Sequence, residues 1–420
     1  MIGAVHSPQT FCRPKQFKTA LVYHFFSCIS LKMAYTRSMS LKVFLASLKI
    51  DILITAATVC AAALIVVCAP KITERYRQRS MYTQQFVSGT VLEIIEDNTE
   101  EDPFVENRYT GNQRIKVRIN EGPYAGQEFL STNTLGSLRS AVAYEGLTAV
   151  FTIRMDKNNQ PAVWLYNYNR TPYIYTLVLL LALPVLLIGR LKGLKSLLAL
   201  AFTGIVIFYI VVPGMWTPHP VLISVASLIV ICLISFVLIA GIGKKSLAAA
   251  AGTLAGVLLA GLTAYIFGRC MNLSGVDMEK GESLLYLAQN RDFKITALLF
   301  VSIIISSIGA TMDIAVSIAS SAEQLFIANP AMPVRTYFKS ILAVGKDIIG
   351  TMTNTLILAF CGASLPLAMM IWGYHMDYMQ FINIPIINIS ILQALAGSIG
   401  MVTSIAFTAI LSVMIFRRSR

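Results

Sequence analysis

Two aspartates stand where an aspartate is costly. Asp313 falls inside GATMDIAVSIASS and Asp347 inside GKDIIGTMTNTLILAFCGASLP, both in strongly apolar surroundings. A charge at the centre of a membrane helix costs about 2.5–3.5 kcal/mol on insertion scales, so such residues turn towards a bundle interior or a watery cavity and mark ion or proton paths. Ser302, Ser306, Gly309, Ser317, Ser320 and Gln324 recur around Asp313 at steps of three and four, which is one face of a helix. Asp347 heads a second face with Thr351, Asn354 and Thr355, while Gln393, Gly397, Gly400, Ser404, Thr408 and Ser412 form a third. At about 1.5 Å per residue, Asp313 lies roughly 27 Å from Ile295 and Asn354 roughly 10 Å from Asp347, so all three can share one layer of the inner half of a bilayer. The chemistry on offer is ion or proton exchange at Asp313, with hydrogen bonds from Ser317, Thr351 and Asn354.

The same residues also fit plainer roles. Stripes of Ser, Thr and Gly pack helices together, and Asn or Asp can act as interhelical hydrogen-bond glue. Asp347 reads as the N-terminal residue of its helix, favoured there by the helix dipole. Arg335 or Lys346 could neutralise Asp313.

Catalysis finds little support. Paired carboxylates that share a proton are the device of aspartyl proteases, but Gly345-Lys346-Asp347 lacks the GxGD pattern of their membrane forms. His6, His24, His219 and His375 lie outside the membrane core with no nucleophile partner, and there is no HExxH or G-x-S-x-G. Cys12, Cys28, Cys60, Cys68, Cys232, Cys270 and Cys361 form no CxxC and no metal-ligand spacing. Neither an enzyme nor a cofactor, metal or disulfide framework is expected.

The positioning elements are long apolar helices. Of 420 residues, 56% are hydrophobic and 13% charged, about half the ~25% charged fraction of soluble domains. Eight spans are expected, near 50–69, 173–189, 195–212, 220–240, 246–267, 295–318, 348–371 and 390–416. In the fifth, Gly252, Gly256 and Ala260 make a small-xxx-small packing face. Arg190, Lys192, Lys195, Lys244, Lys245, Arg335, Lys339 and Lys346 flank alternate connections, and 213–219 and 372–389 hold no Lys or Arg. The positive-inside rule then puts both termini in the cytoplasm, with Lys71, Arg75, Arg77 and Arg79 the discordant cluster after the first span.

The net charge of +13 belongs to these flanks rather than to a nucleic-acid surface. Residues 1–49 form a basic N-terminal segment with seven Lys/Arg and no acid, and 71–172 carry 12 Lys/Arg against 12 Asp/Glu. Met33 reads as an ordinary start, with 1–32 either an upstream extension or part of the protein. The apolar run at 50–69 is longer than a signal core, which favours a retained anchor over a cleaved one.

Residues 71–172 should form a β-rich extracytoplasmic domain with strands near 86–95, 113–119, 126–131, 148–155 and 162–168, a small barrel or sandwich with an OB-like barrel as one form. Glu96, Asp97, Glu100, Glu101 and Asp102 read as a solvated acidic turn, and with no basic groove, no nucleic acid is expected to bind. Two amphipathic interfacial helices are also expected, one around Leu284–Ala288 and one after Pro333 with Val334, Tyr337, Phe338, Ile341 and Leu342 opposite Arg335 and Lys339. The remaining 173–416 form a seven-helix transmembrane domain.

From about 86 to 416 the chain resembles the YibE/F family of bacterial multi-pass membrane proteins, in a longer form with an extracytoplasmic β-rich domain. GATMDIAVSIASS, GKDIIGTMTNTLILAFCGASLP and VRINEGPYAGQ carry the resemblance. It implies a bacterial plasma-membrane location and a shared core containing Asp313, Asp347, Thr351 and Asn354, and it implies no reaction. The expected function is permease- or channel-like, with a small solute or ion moving along the seam of spans six to eight. The alternative is an accessory or scaffolding membrane protein whose outer β domain binds a protein partner.

Overall fold

The computed structural model describes residues 41–73, 84–136, 141–156, 160–288 and 295–417, so the expectations for 1–40 lie outside the described residues. The chain divides into two units, one of residues 70–197 and one of residues 1–69 with 198–420.

The first unit is a strongly bent antiparallel sheet. Strands β1 (Gln85–Glu101), β2 (Tyr109–Ile119), β3 (Glu128–Leu135), β4 (Thr148–Met155) and β5 (Pro161–Tyr168) take the order β3-β2-β1-β4-β5. β3 and β5 meet across the open side, making a half-barrel. Alternation explains the inward face: Ile115, Val117 and Ile119 are fully buried together with Val91, Ala149 and Phe151. Register shifts in β1 between Val91 and Glu93 and between Ile94 and Glu96 supply bulges that bend the strand. Gly89 is required where Phe151 crosses, because a Cβ there would sit 2.8 Å from the ring. The Gly122–Gly126 turn closes through Gly126 N–H donating to Ile119 O at 2.8 Å, with both glycines at positive φ.

Polar side chains close the half-barrel. Gln113, fully buried, accepts from Ala143 N–H at 2.9 Å and from Asn133 Nδ2 at 3.1 Å, and its Nε2 donates to Asp97 and to Ala143 O. Tyr168 Oη accepts from Val142 N–H and donates to Val142 O. The acidic segment is not a turn, as expected from its sequence, but the outer half of β1. It pairs with β2, Glu96 opposite Arg114 and Asp97 opposite Gln113, because the partner strand offers cations and amides to face the carboxylates.

α1 (Leu41–Thr73) precedes the sheet, and α2 (Thr171–Val206) follows it, continuing through a π-helical turn at Ile207–Val211 to Gly214. Then come α3 (Pro220–Ala240), α4 (Lys244–Cys270), the short α5 (Gly281–Ala288), α6 (Ile295–Ala328), α7 (Val334–Ala363), α8 (Leu365–Gly373), α9 (Tyr378–Ile382) and α10 (Pro385–Arg417). Among the described residues, seven helices are long and apolar enough to cross a membrane, where the sequence predicts eight spans. The difference lies at 173–212, a single 44-residue helical stretch from Thr171 to Gly214. Arg190 interrupts it with φ 48 and ψ −127. Gly193 Cα packs on the Val185 carbonyl, though a straight helix holds residues eight apart about 12 Å from each other. The stretch is therefore two helices joined by a sharp kink at Arg190.

α4, α6 and α10 form the centre of the helical unit. A Cβ on Gly256 would meet Gly400 O at 2.5 Å and Ser404 Cβ at 2.7 Å, and one on Gly400 would meet Ala260 at 2.7 Å. Gly252 receives the Thr408 hydroxyl in the same way. Small residues at these positions let two backbones touch, which is what drives helices together where no hydrophobic effect separates protein from lipid. Around this seam Phe202, Phe236, Ile304, Ile308 and Ala315 build the core, with Ala61, Ala62 and Ile65 of α1 against it.

Candidate functional site

α6 has two faces of opposite character. Ile304, Ser307, Thr311, Ala315, Ile318 and Ala322 are buried against its neighbours. Gly309, Asp313, Ser317 and Gln324 are exposed, and at 100° per residue Asp313 points directly away from the buried stripe. Ser317 Oγ donates to Asp313 O at 2.9 Å, and Ser302 Oγ and Ser306 Oγ likewise donate to their own helix. Among the described residues, the Asp313 carboxylate has no hydrogen-bond or ion-pair partner. Neither Arg335 nor Lys346 neutralises it, and the ion pair found nearby on this helix joins Lys245 to Glu323 at 3.7 Å.

α7 is arranged the same way. Tyr337, Ile341 and Gly345 are buried, and a Cβ on Gly345 would press on Ile405 and lie 3.4 Å from Ile318. Tyr337 Oη donates to Ala322 O at 2.7 Å. Asp347, Thr351, Asn354 and Thr355 occupy the opposite side and are exposed. Thr351 and Thr355 hydroxyls return to α7 carbonyls, at Ile348 and Thr351 respectively.

The contacts set an antiparallel register between α6 and α7. Tyr337 meets Ala322, Gly345 faces Ile318, and Leu356 reaches Gly397 on α10 beside Ser307. Asp313 is thereby level with the segment from Asp347 to Asn354, as the depth estimate anticipates. Among the described residues, no bond between two side chains joins Asp313, Ser317, Asp347, Thr351 and Asn354 to one another; the Ser317 hydroxyl reaches only the backbone carbonyl of Asp313. They share a layer on the outside of the packed unit and not an enclosed cavity.

Three expectations change. Asp347 lies well inside α7, which starts at Val334, so the helix dipole, felt within the first turn, does not account for it. The segment after Pro333 is not a separate interfacial helix: it is the first half of α7, because Tyr337 and Ile341 find buried partners on α6 and α10. The α10 stripe does not line the same opening as Asp313. Gly400, Ser404 and Thr408 are consumed in packing on the α4 glycines, and Gln393 meets the α6 stripe at Ser302, donating to its Oγ at 3.2 Å. In the sequence Tyr337 stands only as one member of an apolar stripe. A hydroxyl within such a stripe is the available signal that a buried carbonyl waits for it.

A family model described as YibE/F-like protein matches residues 177–418. The chain belongs to the YibE/F family. It is a membrane protein by that membership and by its apolar helices. The matched region takes in both aspartates and every helix from α3 onward, while the half-barrel lies outside it. No curated protein and no solved structure matches this YibE/F chain.

Proposed function

We propose that this YibE/F protein is permease-like, moving a small solute or ion along the open polar faces of α6 and α7, with a second copy of the chain closing the path. The supporting observation is the position of Asp313, unpaired on the face of α6 opposite the one that packs. Hydrocarbon is an expensive neighbour for that group, at about 2.5–3.5 kcal/mol, and a polar surface from another copy removes the cost. Ser317, Thr351 and Asn354 supply hydrogen bonds along the path, and Asp347 adds a second carboxylate on the same face of α7. The reading includes a bacterial plasma-membrane location with both termini cytoplasmic, which the Lys/Arg flanks support. Asp313→Asn in proteoliposomes should abolish ion or solute flux while the protein remains folded, and Ser317→Cys should cross-link two copies. Full flux in the Asn variant overturns the role of Asp313.

An accessory role draws on a different feature. The strand order of the half-barrel, with β3 meeting β5, supports an OB-like barrel, and its β1–β2 ribbon ends in Phe104, 92% exposed between Asp102 and Glu106. A partner held there would be lost on Phe104→Ser and retained on Asp313→Asn.

A further inference from the structure

Two contiguous cavities open on the side of α6 where Phe300, Ile304 and Ile308 lie, away from the Asp313 stripe. The first, about 360 Å³, is an apolar slot between α3, α4 and α6 lined by Leu228, Val257, Leu258, Gly261, Ile304 and Ile308. The second, about 1020 Å³, sits where α3 begins, α4 ends and α6 begins, and is bordered by His219, Arg269, Asn272 and Thr296. Val225, Tyr265 and Phe300 line both, so they are one space with an apolar end and a polar end. Gly261 keeps the slot open, since a Cβ there would stand 3.3–3.4 Å from Ile304 and Phe300.

Among the described residues that line the polar end, the charge is one-sided. Arg269 lies over the Tyr265 ring at 5.5 Å and has no carboxylate partner among the described residues. Asp277, the acid that follows α4 most closely, is engaged as a cap, accepting from Ser274 N–H at 2.9 Å. His219, the N-cap residue of α3, makes no side-chain cap, and the N–H groups of that first turn add positive potential beside it. A guanidinium offers paired donors to phosphate oxygens in a planar fork. The boundary of the apolar helices is also where headgroups sit.

We infer that this space is a binding site for an anionic glycerophospholipid, its phosphate held by Arg269 with His219, Asn272 and Thr296 around it, and an acyl chain in the slot beside Leu258 and Gly261. The inference does not depend on the path along α6 and α7. The test is native mass spectrometry of the full-length protein in detergent, titrated with phosphatidylglycerol, phosphatidylcholine, and glycerol phosphate as a headgroup without chains. Wild-type protein should retain phosphatidylglycerol at least about tenfold more tightly than phosphatidylcholine, which is about 1.4 kcal/mol. Arg269→Gln should remove the preference but keep binding. Leu258→Trp should exclude both lipids, and Lys339→Gln and Asp313→Asn should change neither. Equal retention of the two lipids by wild type, a preference that survives Arg269→Gln, or binding of glycerol phosphate as tight as the lipid each overturns the assignment. Thermal unfolding of each variant without lipid separates misfolding from a lost site.

Discussion

The α4–α10 seam and the outer faces of α6 and α7 are written in the same residues and end in opposite places. Both are rows of Gly, Ser and Thr at helical spacing within apolar helices. At the seam Gly252, Gly256, Gly400, Ser404 and Thr408 are buried and touch a facing backbone. On the outer faces Gly309 and Gly350 have nothing within 4 Å of where a side chain would begin, and the hydroxyls bond their own helix. The aspartates occur only on the open faces. A stripe of small polar residues thus says that something approaches closely, and the ionisable residue distinguishes a surface reserved for polar company from one used for packing.

The widest separation between the two regions should come from enlarging their glycines. Gly256→Leu forces α4 from Gly400 and should cost about 3 kcal/mol or the fold itself, whereas Gly350→Leu should stay within about 0.5 kcal/mol; thermal unfolding in detergent reads both. An equal loss at Gly350 would mean that the open face is a packed one. Next is the removal of satisfied buried polar groups. Gln113→Ala strands Asn133 and the Ala143 N–H and should cost about 2 kcal/mol, against almost nothing for Thr351→Ala, whose hydroxyl serves only its own helix. Tyr337→Phe, which deletes the bond to Ala322 O, should cost about 1 kcal/mol.

The smallest effect belongs to a surface cluster on the half-barrel. Lys116 and then Arg118 hold the Glu128 carboxyl below its ordinary range, at 2.8 Å and 2.7 Å. Its stabilising contribution is complete above the ordinary glutamate pKa and is lost as pH falls through the lowered value. Hydrogen exchange of β2 and β3 should rise slightly below that range in the wild type and lose this pH dependence in Glu128→Gln.

Much of this molecule can be read from composition and period. The five strands follow from alternation such as Ile115-Lys116-Val117-Arg118-Ile119, and the α4 packing face from Gly252, Gly256 and Ala260. The faces of α6 and α7 carrying Asp313 and Asp347 are legible as faces. Which side each face takes is not, because helical spacing repeats equally for a surface turned in or out. Where α7 begins was hidden by Arg335, Lys339 and Lys346, which lower hydropathy although Tyr337 and Ile341 beside them are buried. Arg269 is not legible in the sequence, because a lone arginine at a helix end looks like any other flank and its hint is Tyr265 one turn earlier.

The kink at Arg190 bears on how sidedness can be mapped. Reporter insertions need slack in the polypeptide, and between Gly189 and Lys195 there is none: Gly193 is wedged on the Val185 carbonyl and would be prised off before a tag could report a compartment. Lys192, exposed beside the wedge, already offers a native amine, so an impermeant acylating reagent can probe this kink with the chain left intact.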